Sequence, residues 1–115
     1  MPVTVYHNPK CSKSRQTLEL IKKQGHSPII IEYLKNPLTP EKIREILLQL
    51  GFEPRDLMRK NETRYIECEL DSLSLSDNDL IKFMVKYPIL IERPIVLTNG
   101  KAVIGRPPEE VLKVL

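Results

Sequence analysis

The chain has 115 residues and a formal net charge of +3, with 41% hydrophobic, 29% charged and 5% aromatic residues. This composition fits one compact domain with a modest core, and neither the small charge nor the few aromatic residues favour a nucleic-acid partner. No apolar run reaches the roughly 20 residues of a membrane span, and the first ten residues lack a secretory signal, so we expect a cytoplasmic protein that binds no membrane.

The first third of the sequence predicts a β-α-β unit. Residues 3–6 alternate between apolar and polar and indicate a short strand, while residues 12–24 have the spacing of an amphipathic helix that ends at Gly25. Residues 29–31 form an apolar, β-branched run, which is typical of a parallel strand covered on both faces. Cys11 is therefore placed between the first strand and the helix.

The middle of the chain predicts helices. Residues 39–50 begin with a capping threonine and a first-turn proline and are followed by a glycine, all of which favour a helix. Residues 54–59 indicate a short helix, and a capping box followed by an apolar face predicts another over 77–87. Residues 67–75 show no clear pattern. We expect a helical insertion over about residues 38–87.

The last part of the chain predicts two strands and a final helix. Residues 94–98 and 101–104 flank Asn99-Gly100, a pair that favours a tight hairpin turn because both central residues need positive φ. The prolines and glutamates of residues 107–110 begin a last helix. The order β-α-β, helices, β-β-α predicts a single α/β domain over residues 1–115, with the mixed sheet of the thioredoxin-like arrangement.

Cys11 is the strongest candidate for chemistry. A thiol at the first turn of a helix faces backbone N–H groups and the positive end of the helix dipole, which both favour the thiolate. His7, Lys10, Lys13 and Arg15 crowd the same turn, and we expect them to favour ionisation further. The alternative is a buried structural thiol, but these polar neighbours argue against it.

The residues after Cys11 exclude a local disulfide, because Ser14 stands where dithiol oxidoreductases have a second cysteine. The Ser14 hydroxyl is a candidate hydrogen-bond donor to the thiolate, and any covalent adduct must be resolved by another thiol. Cys68 is the internal candidate, although its position between two glutamates favours a spectator role. The two cysteines and two histidines show no metal-ligand spacing, so we expect no metal.

Four separated motifs resemble the glutaredoxin-coupled arsenate reductase family of the ArsC/Spx superfamily. They are the first-turn segment YHNPKCSKSR over residues 6–15, Arg59 in LMRK, Arg93 in ERPIV and Arg106 in IGRPP. The motifs occur in the family's order, and the resemblance spans essentially the whole chain.

The resemblance implies a reductase that converts arsenate to arsenite. Cys11 would attack the arsenic atom, and Arg59, Arg93 and Arg106 would surround the oxyanion, since guanidinium groups bind such oxygens in pairs. Glutathione would act as co-substrate and glutaredoxin would resolve the resulting mixed disulfide. The resemblance implies no bound cofactor, and we expect a monomer.

The resemblance also suggests roles for residues around the cysteine. His7 matches a residue that helps to lower the pKa of the thiol, although it could equally bond the backbone of its own turn. Asn8 and Arg15 are supporting candidates, and Arg15 could instead pair with an acid. Pro94 matches the cis-proline that faces the cysteine in thioredoxin-like folds.

Two other functions fit the same sequence. A redox-sensing regulatory module of the Spx kind resembles this fold, but such modules usually carry a second cysteine at the place of Ser14. A glutathione-linked reductase could instead act on mixed disulfides or on another oxyanion, because tetrahedral oxyanions present the same geometry to arginines.

Overall fold

The computed structural model describes residues 2–115, which divide into two compact units. The first unit comprises the residues up to Asn36 together with Arg93–Leu115, and the second comprises Pro37–Glu92. The single domain with an insertion over about 38–87 stays a prediction. Within the described residues, no helix is long and apolar enough to cross a membrane.

The first unit is built on a four-stranded mixed sheet with the strand order β2-β1-β3-β4. The central strand β1 pairs in parallel with β2 and antiparallel with β3, which pairs antiparallel with β4. This is the predicted β-α-β and β-β-α arrangement, so the thioredoxin-like α/β fold is confirmed. The strands are β1 (Thr4–His7), β2 (Ile29–Glu32), β3 (Ile95–Thr98) and β4 (Lys101–Ile104).

The strand β2 corrects one prediction. Its parallel pairing with β1 is confirmed, but β2 is an edge strand, and Ile29 and Ile30 are 54% and 44% exposed. The prediction that both faces are covered is therefore wrong. β-Branched residues favour extended backbone at an edge as well as in a sheet interior, so their presence does not report burial.

Helix α1 (Ser12–Lys23) packs against the sheet through one face. Its buried residues Leu18 and Ile21 join a hydrophobic cluster with Val3, Val5, Val96 and Val111. Val111 lies in the predicted last helix, which forms a 3-10 helix over Pro108–Lys113 rather than an α-helix. The first turn of α1 and the end of β1 therefore lie together at one end of the strands.

The hairpin between β3 and β4 forms as predicted. Asn99 and Gly100 have φ values of +55° and +71°, and the two strands pair from Thr98 with Lys101 outward. Since β1 pairs antiparallel with β3, the last residue of β1 lies at the same end of the sheet as the first residue of β3 and the last residue of β4.

The second unit is helical, and its capping signals are satisfied. Thr39 accepts a hydrogen bond from the Lys42 N–H at the start of its helix, and Ser76 accepts one from the Asp79 N–H in the predicted capping box. The α-helices are α2 (Pro40–Leu50), α3 (Thr63–Glu67) and α4 (Asp77–Lys86), with 3-10 helices over Pro54–Leu57 and Pro88–Leu90. The helices predicted over 39–50 and 77–87 are confirmed, the short helix over 54–59 is of the 3-10 kind, and α3 was not predicted.

Candidate active site

Cys11 lies at the N-cap of α1, after the turn that follows β1. Its N–H donates to the Asn8 carbonyl at 3.0 Å, and its own carbonyl accepts the N–H of Arg15 at 3.0 Å. The residue as a whole is only 8% exposed. The predicted strand–turn–helix setting of the thiol is therefore present.

Three groups of the first unit stabilise the thiolate. Burial by itself raises the pKa of the Cys11 thiol, but the Ser14 backbone N–H and the Arg93 side chain both donate hydrogen bonds to the sulfur, and the charges of Arg93 and Arg106 act in the same direction. The net effect lowers the pKa of Cys11 below its ordinary value. Cys11 is thus prepared to act as a nucleophile.

Both arginines lie beside the sulfur, and the side chain of Arg106 bonds the backbone of Arg93. Arg106 Nη2 lies 3.4 Å from Cys11 Sγ, and Arg106 Nε donates to the Arg93 carbonyl at 2.7 Å. Arg106 is exposed and Arg93 is half-buried. The pair therefore offers guanidinium groups both to the thiolate and to an anion that approaches it.

A close packing contact lies next to both arginines in the chain, and sequence reasoning missed it. Gly105 is buried, its N–H donates to the Pro94 carbonyl at 3.0 Å, and its carbonyl accepts from Thr17 Oγ1 at 3.4 Å. A Cβ atom at Gly105 would lie 2.5 Å from Thr17 Oγ1 and 2.9 Å from Pro94 Cγ. Only glycine fits here, directly before Arg106 in the chain.

The peptide bond between Arg93 and Pro94 is cis, as the resemblance implied, and the bond between Arg106 and Pro107 is also cis. Pro94 is buried directly before β3, at the same end of the sheet as Cys11.

The side chains of His7 and Ser14 bond to each other. His7 Nδ1 shares a hydrogen bond of 2.6 Å with Ser14 Oγ, which also accepts the N–H of Asn8 at 3.1 Å. The hydroxyl is thus engaged with the turn, and the Ser14 backbone N–H, not the hydroxyl, donates to the thiolate. Burial lowers the pKa of His7 below its usual value, with Arg15 acting in the same direction and Glu32 against it. This shift favours the neutral imidazole, so it reduces the positive charge that His7 would bring to the thiol.

The supporting candidates Asn8 and Arg15 shape the same turn. Asn8 Oδ1 accepts the N–H of Lys10 at 3.0 Å, which holds the turn that leads into α1. Arg15 Nη1 donates to the Pro9 carbonyl at 2.8 Å and so binds the turn rather than an acid.

Arg59 and Cys68 belong to the second unit. Arg59 is half-buried, its Nε binds Glu62 Oε1 at 3.0 Å, and its N–H donates to the Leu90 carbonyl at 2.7 Å. Cys68 is a free, half-exposed thiol at the C-cap of α3. Within residues 2–115, no group of three or more His, Cys, Asp or Glu side chains could hold a metal ion.

The comparisons with known proteins agree with this architecture. Residues 6–114 match the ArsC family. The uncharacterised protein YfgD of Escherichia coli K12 is 50% identical over 98% of this chain and 96% of its own length, and an arsenate reductase of Haemophilus influenzae is 45% identical over the whole of both chains. The structure of an arsenate reductase from Vibrio cholerae superposes with a TM-score of 0.98 at 49% identity and covers 100% of this chain and 98% of that one.

Proposed function

Since the chain belongs to the ArsC family, we propose that it is an arsenate reductase that uses Cys11 as its nucleophile and glutathione with glutaredoxin as its source of electrons. The observation that carries this proposal is the contact of 3.4 Å between Arg106 Nη2 and Cys11 Sγ, with Arg93 bonded to the same sulfur. A thiolate alone would repel an anionic substrate, and the two guanidinium groups offset that repulsion.

Anion capture is the first step. At neutral pH arsenate is mostly a dianion with four oxygens, and each guanidinium can donate two parallel N–H bonds to a pair of them. Arg93 and Arg106 would receive the anion next to the sulfur, and the free N–H groups at the start of α1 add partial positive charge. Arg59 is assigned to the same oxyanion by its match to the family motif. Each charge-assisted hydrogen bond contributes about 1.5–3 kcal/mol to binding.

The second step forms the covalent adduct. The Cys11 thiolate attacks arsenic, an S–As bond forms, and one As–O bond breaks so that its oxygen leaves as water after taking up two protons from solvent. Arsenic stays in the +5 state in this step. The arginines stabilise the negative charge on the three remaining oxygens as the new bond forms.

The third step reduces arsenic. The glutathione thiolate attacks the sulfur of Cys11, an S–S bond forms, and the S–As bond breaks with its electron pair remaining on arsenic. Arsenic passes from +5 to +3 and leaves as arsenite after taking up two protons, while the two sulfurs are oxidised to a mixed disulfide. A glutaredoxin thiolate then attacks the glutathione sulfur and releases Cys11, because Ser14 leaves no local thiol to do so. The need for glutathione and glutaredoxin assigns the reaction to the cytoplasm.

The test is arsenate-dependent NADPH oxidation with purified protein, glutathione, glutaredoxin and glutathione reductase. We expect turnover in the unmodified chain, none in Cys11→Ser, and unchanged turnover in Cys68→Ser, which serves as the matched control for removing a thiol. Omission of glutaredoxin should stop the reaction after one equivalent of arsenite per protein.

Absence of turnover in a folded protein with a reactive Cys11 would overturn the arsenate assignment. It would favour a glutathione-linked reductase of another substrate or a redox-sensing module. Turnover that persists in Cys11→Ser would overturn the assignment of the nucleophile.

A further inference from the structure

A groove of about 470 Å³ runs along the solvent side of α1 and starts beside the active site. One wall begins at Ser12, the neighbour of Cys11, and the other at Pro108, two residues after Arg106. Arg15, Gln16, Glu19 and Lys23 continue the α1 wall. Residues 12, 16, 19 and 23 recur at helical spacing, so they form one stripe that leads away from the cysteine.

Two charged side chains at the far end of the groove, Glu19 and Lys23, have no partner among the described residues. Within the described part of the chain, Glu19 and Lys23 make no ion pair and no side-chain hydrogen bond, although they stand four residues apart on one helix face. Elsewhere on the surface oppositely charged residues three apart on a helix are joined, as in Lys42 with Glu45 of α2 at 2.8 Å. An acid and a base side by side on the groove could bind the ammonium group and the carboxylate of an amino acid zwitterion.

We propose that this groove binds the γ-glutamyl arm of glutathione, with Glu19 facing its ammonium group and Lys23 facing its α-carboxylate. This inference rests on the proposed function, in which the glutathione sulfur must reach Cys11. From that sulfur, the γ-glutamyl arm extends about 10 Å to its terminal charges. The helix rises about 10 Å from Ser12 to Glu19, so the arm and the stripe have equal length.

The direction of the side chains brings Lys23 into reach. Helical side chains lean toward the N-terminus of their helix, so Lys23 extends back toward the level of Glu19. Arg15 lies between this end and the cysteine, and Glu109 stands on the opposite wall, so the groove carries two bases and two acids, a balance that suits a zwitterionic arm. The glycine arm of glutathione points away from the stripe and is not part of this site.

The test uses S-methylglutathione, whose blocked sulfur cannot form a disulfide, in an NMR titration of the full chain. We expect saturable shifts of the backbone signals of residues 12–23. Lys23→Glu should weaken binding by about fivefold to tenfold, because an attraction becomes a repulsion. Lys22→Glu is the matched control, since it makes the same charge change in the same turn of α1 but lies outside the groove, and it should bind as the unmodified chain does.

A ligand that lacks the arm provides the second control. S-Methylcysteinylglycine should bind weakly and equally to the unmodified chain and to Lys23→Glu. The inference is overturned if S-methylglutathione fails to bind at millimolar concentration, if its shifts lie outside α1, or if Lys23→Glu and Lys22→Glu bind it equally.

These outcomes are separate from those of the proposed function. Binding of S-methylglutathione that depends on Lys23 in a protein without arsenate turnover supports the groove and overturns only the arsenate assignment. Arsenate turnover with a glutathione KM that is equal in Lys23→Glu and Lys22→Glu overturns the groove and leaves the reductase standing.

Discussion

Replacement of Gly105 by alanine should disturb the active site from outside it. Gly105 has no side chain to bind a substrate, but a Cβ atom here would lie 2.5 Å from Thr17 Oγ1 and 2.9 Å from Pro94 Cγ. Ordinary van der Waals contact begins at 3.4 Å, so the closest pair must separate by about 0.9 Å. Thr17 is fully buried in α1 and Pro94 is buried at the start of β3, so the segment carrying Arg106 has to move.

The size of the effect follows from these contacts. Overpacking of a buried site costs about 1–3 kcal/mol of unfolding free energy, of which about 0.4–1 kcal/mol is offset because alanine restricts the unfolded chain. Arg106 Nη2 is 3.4 Å from Cys11 Sγ, and a displacement of 0.9 Å would break that hydrogen bond. Loss of a charge-assisted bond of about 1.5–3 kcal/mol corresponds to a decrease of about tenfold to a hundredfold in kcat/KM for arsenate.

Urea unfolding and the arsenate assay measure the two effects of Gly105→Ala. Gly25→Ala is the matched control, since Gly25 has a φ of +85° and no atom within 4 Å of its missing Cβ. It should lower stability by about 1–2 kcal/mol through backbone strain and leave kcat/KM unchanged. Adding Thr17→Ala to Gly105→Ala removes the nearest clashing atom and should restore part of the activity. The reasoning is refuted if Gly105→Ala matches the unmodified chain in both stability and kcat/KM.

Three further predictions concern the thiol, the histidine and one helix cap. The rate of Cys11 alkylation, measured with the other cysteine replaced by serine, should have its midpoint below the ordinary thiol pKa of about 8.5, and Arg106→Gln should raise that midpoint; a midpoint at or above 8.5 in the unmodified chain contradicts this. Because burial lowers the pKa of His7, the unfolded chain binds the proton more tightly than the folded chain. The stability that neutral His7 allows is therefore complete above the ordinary His pKa of about 6.5 and is lost as the pH falls through the lower folded value. Urea midpoints should therefore fall less on acidification in His7→Gln than in the unmodified chain or in His26→Gln, and equal decreases would count against the burial of a neutral His7. Ser76→Ala should lower the unfolding free energy by about 0.5–2 kcal/mol without changing Cys11 alkylation, and an unchanged urea midpoint would show that the cap does not stabilise α4.

Elements with complete local signals could be predicted from the sequence. The helix α2 carries its cap, its first-turn proline and its terminal glycine within a few residues, and the hairpin carries its turn pair. The exposure of β2 could not be predicted, because it depends on the order of strands that are distant in the chain. The five-residue helix α3 is too short for a periodic pattern, and the last helix has helix-forming residues but adopts 3-10 geometry.

The candidate site was predictable to different degrees. The setting of Cys11 follows from a strand, a turn and a helix start in sequence, so its reactivity could be inferred from local features. The roles of His7 and Ser14 could not, because a contact of 2.6 Å between side chains seven residues apart depends on how the turn folds. Burial of the imidazole lowers the pKa of His7, which reduces the charge that its position near the thiol suggested.

The meeting of the two arginines is a consequence of the hairpin register. Counting outward from the turn at 99–100, the pairing ends at Ile95 with Ile104, and the same count carried further sets Pro94 opposite Gly105 and Arg93 opposite Arg106. The bond from the Gly105 N–H to the Pro94 carbonyl follows that count. Arg106 then reaches the Arg93 carbonyl through its side-chain Nε, since its own N–H donates to the Ile104 carbonyl. The turn pair was recognised in the sequence, and the same count would have placed the two arginines opposite each other.

The position of the thiol follows from the next strand in the sheet. Tyr6 near the end of β1 pairs with Ile95 at the start of β3. The turn that carries Cys11 therefore lies at the same end of the sheet as both arginines. A shift of one residue in the hairpin turn would move Arg106 to the opposite face of its strand extension and separate it from the sulfur. The proposed oxyanion site therefore depends on a turn at the far end of the hairpin, because strand pairing brings its two arginines and its cysteine together.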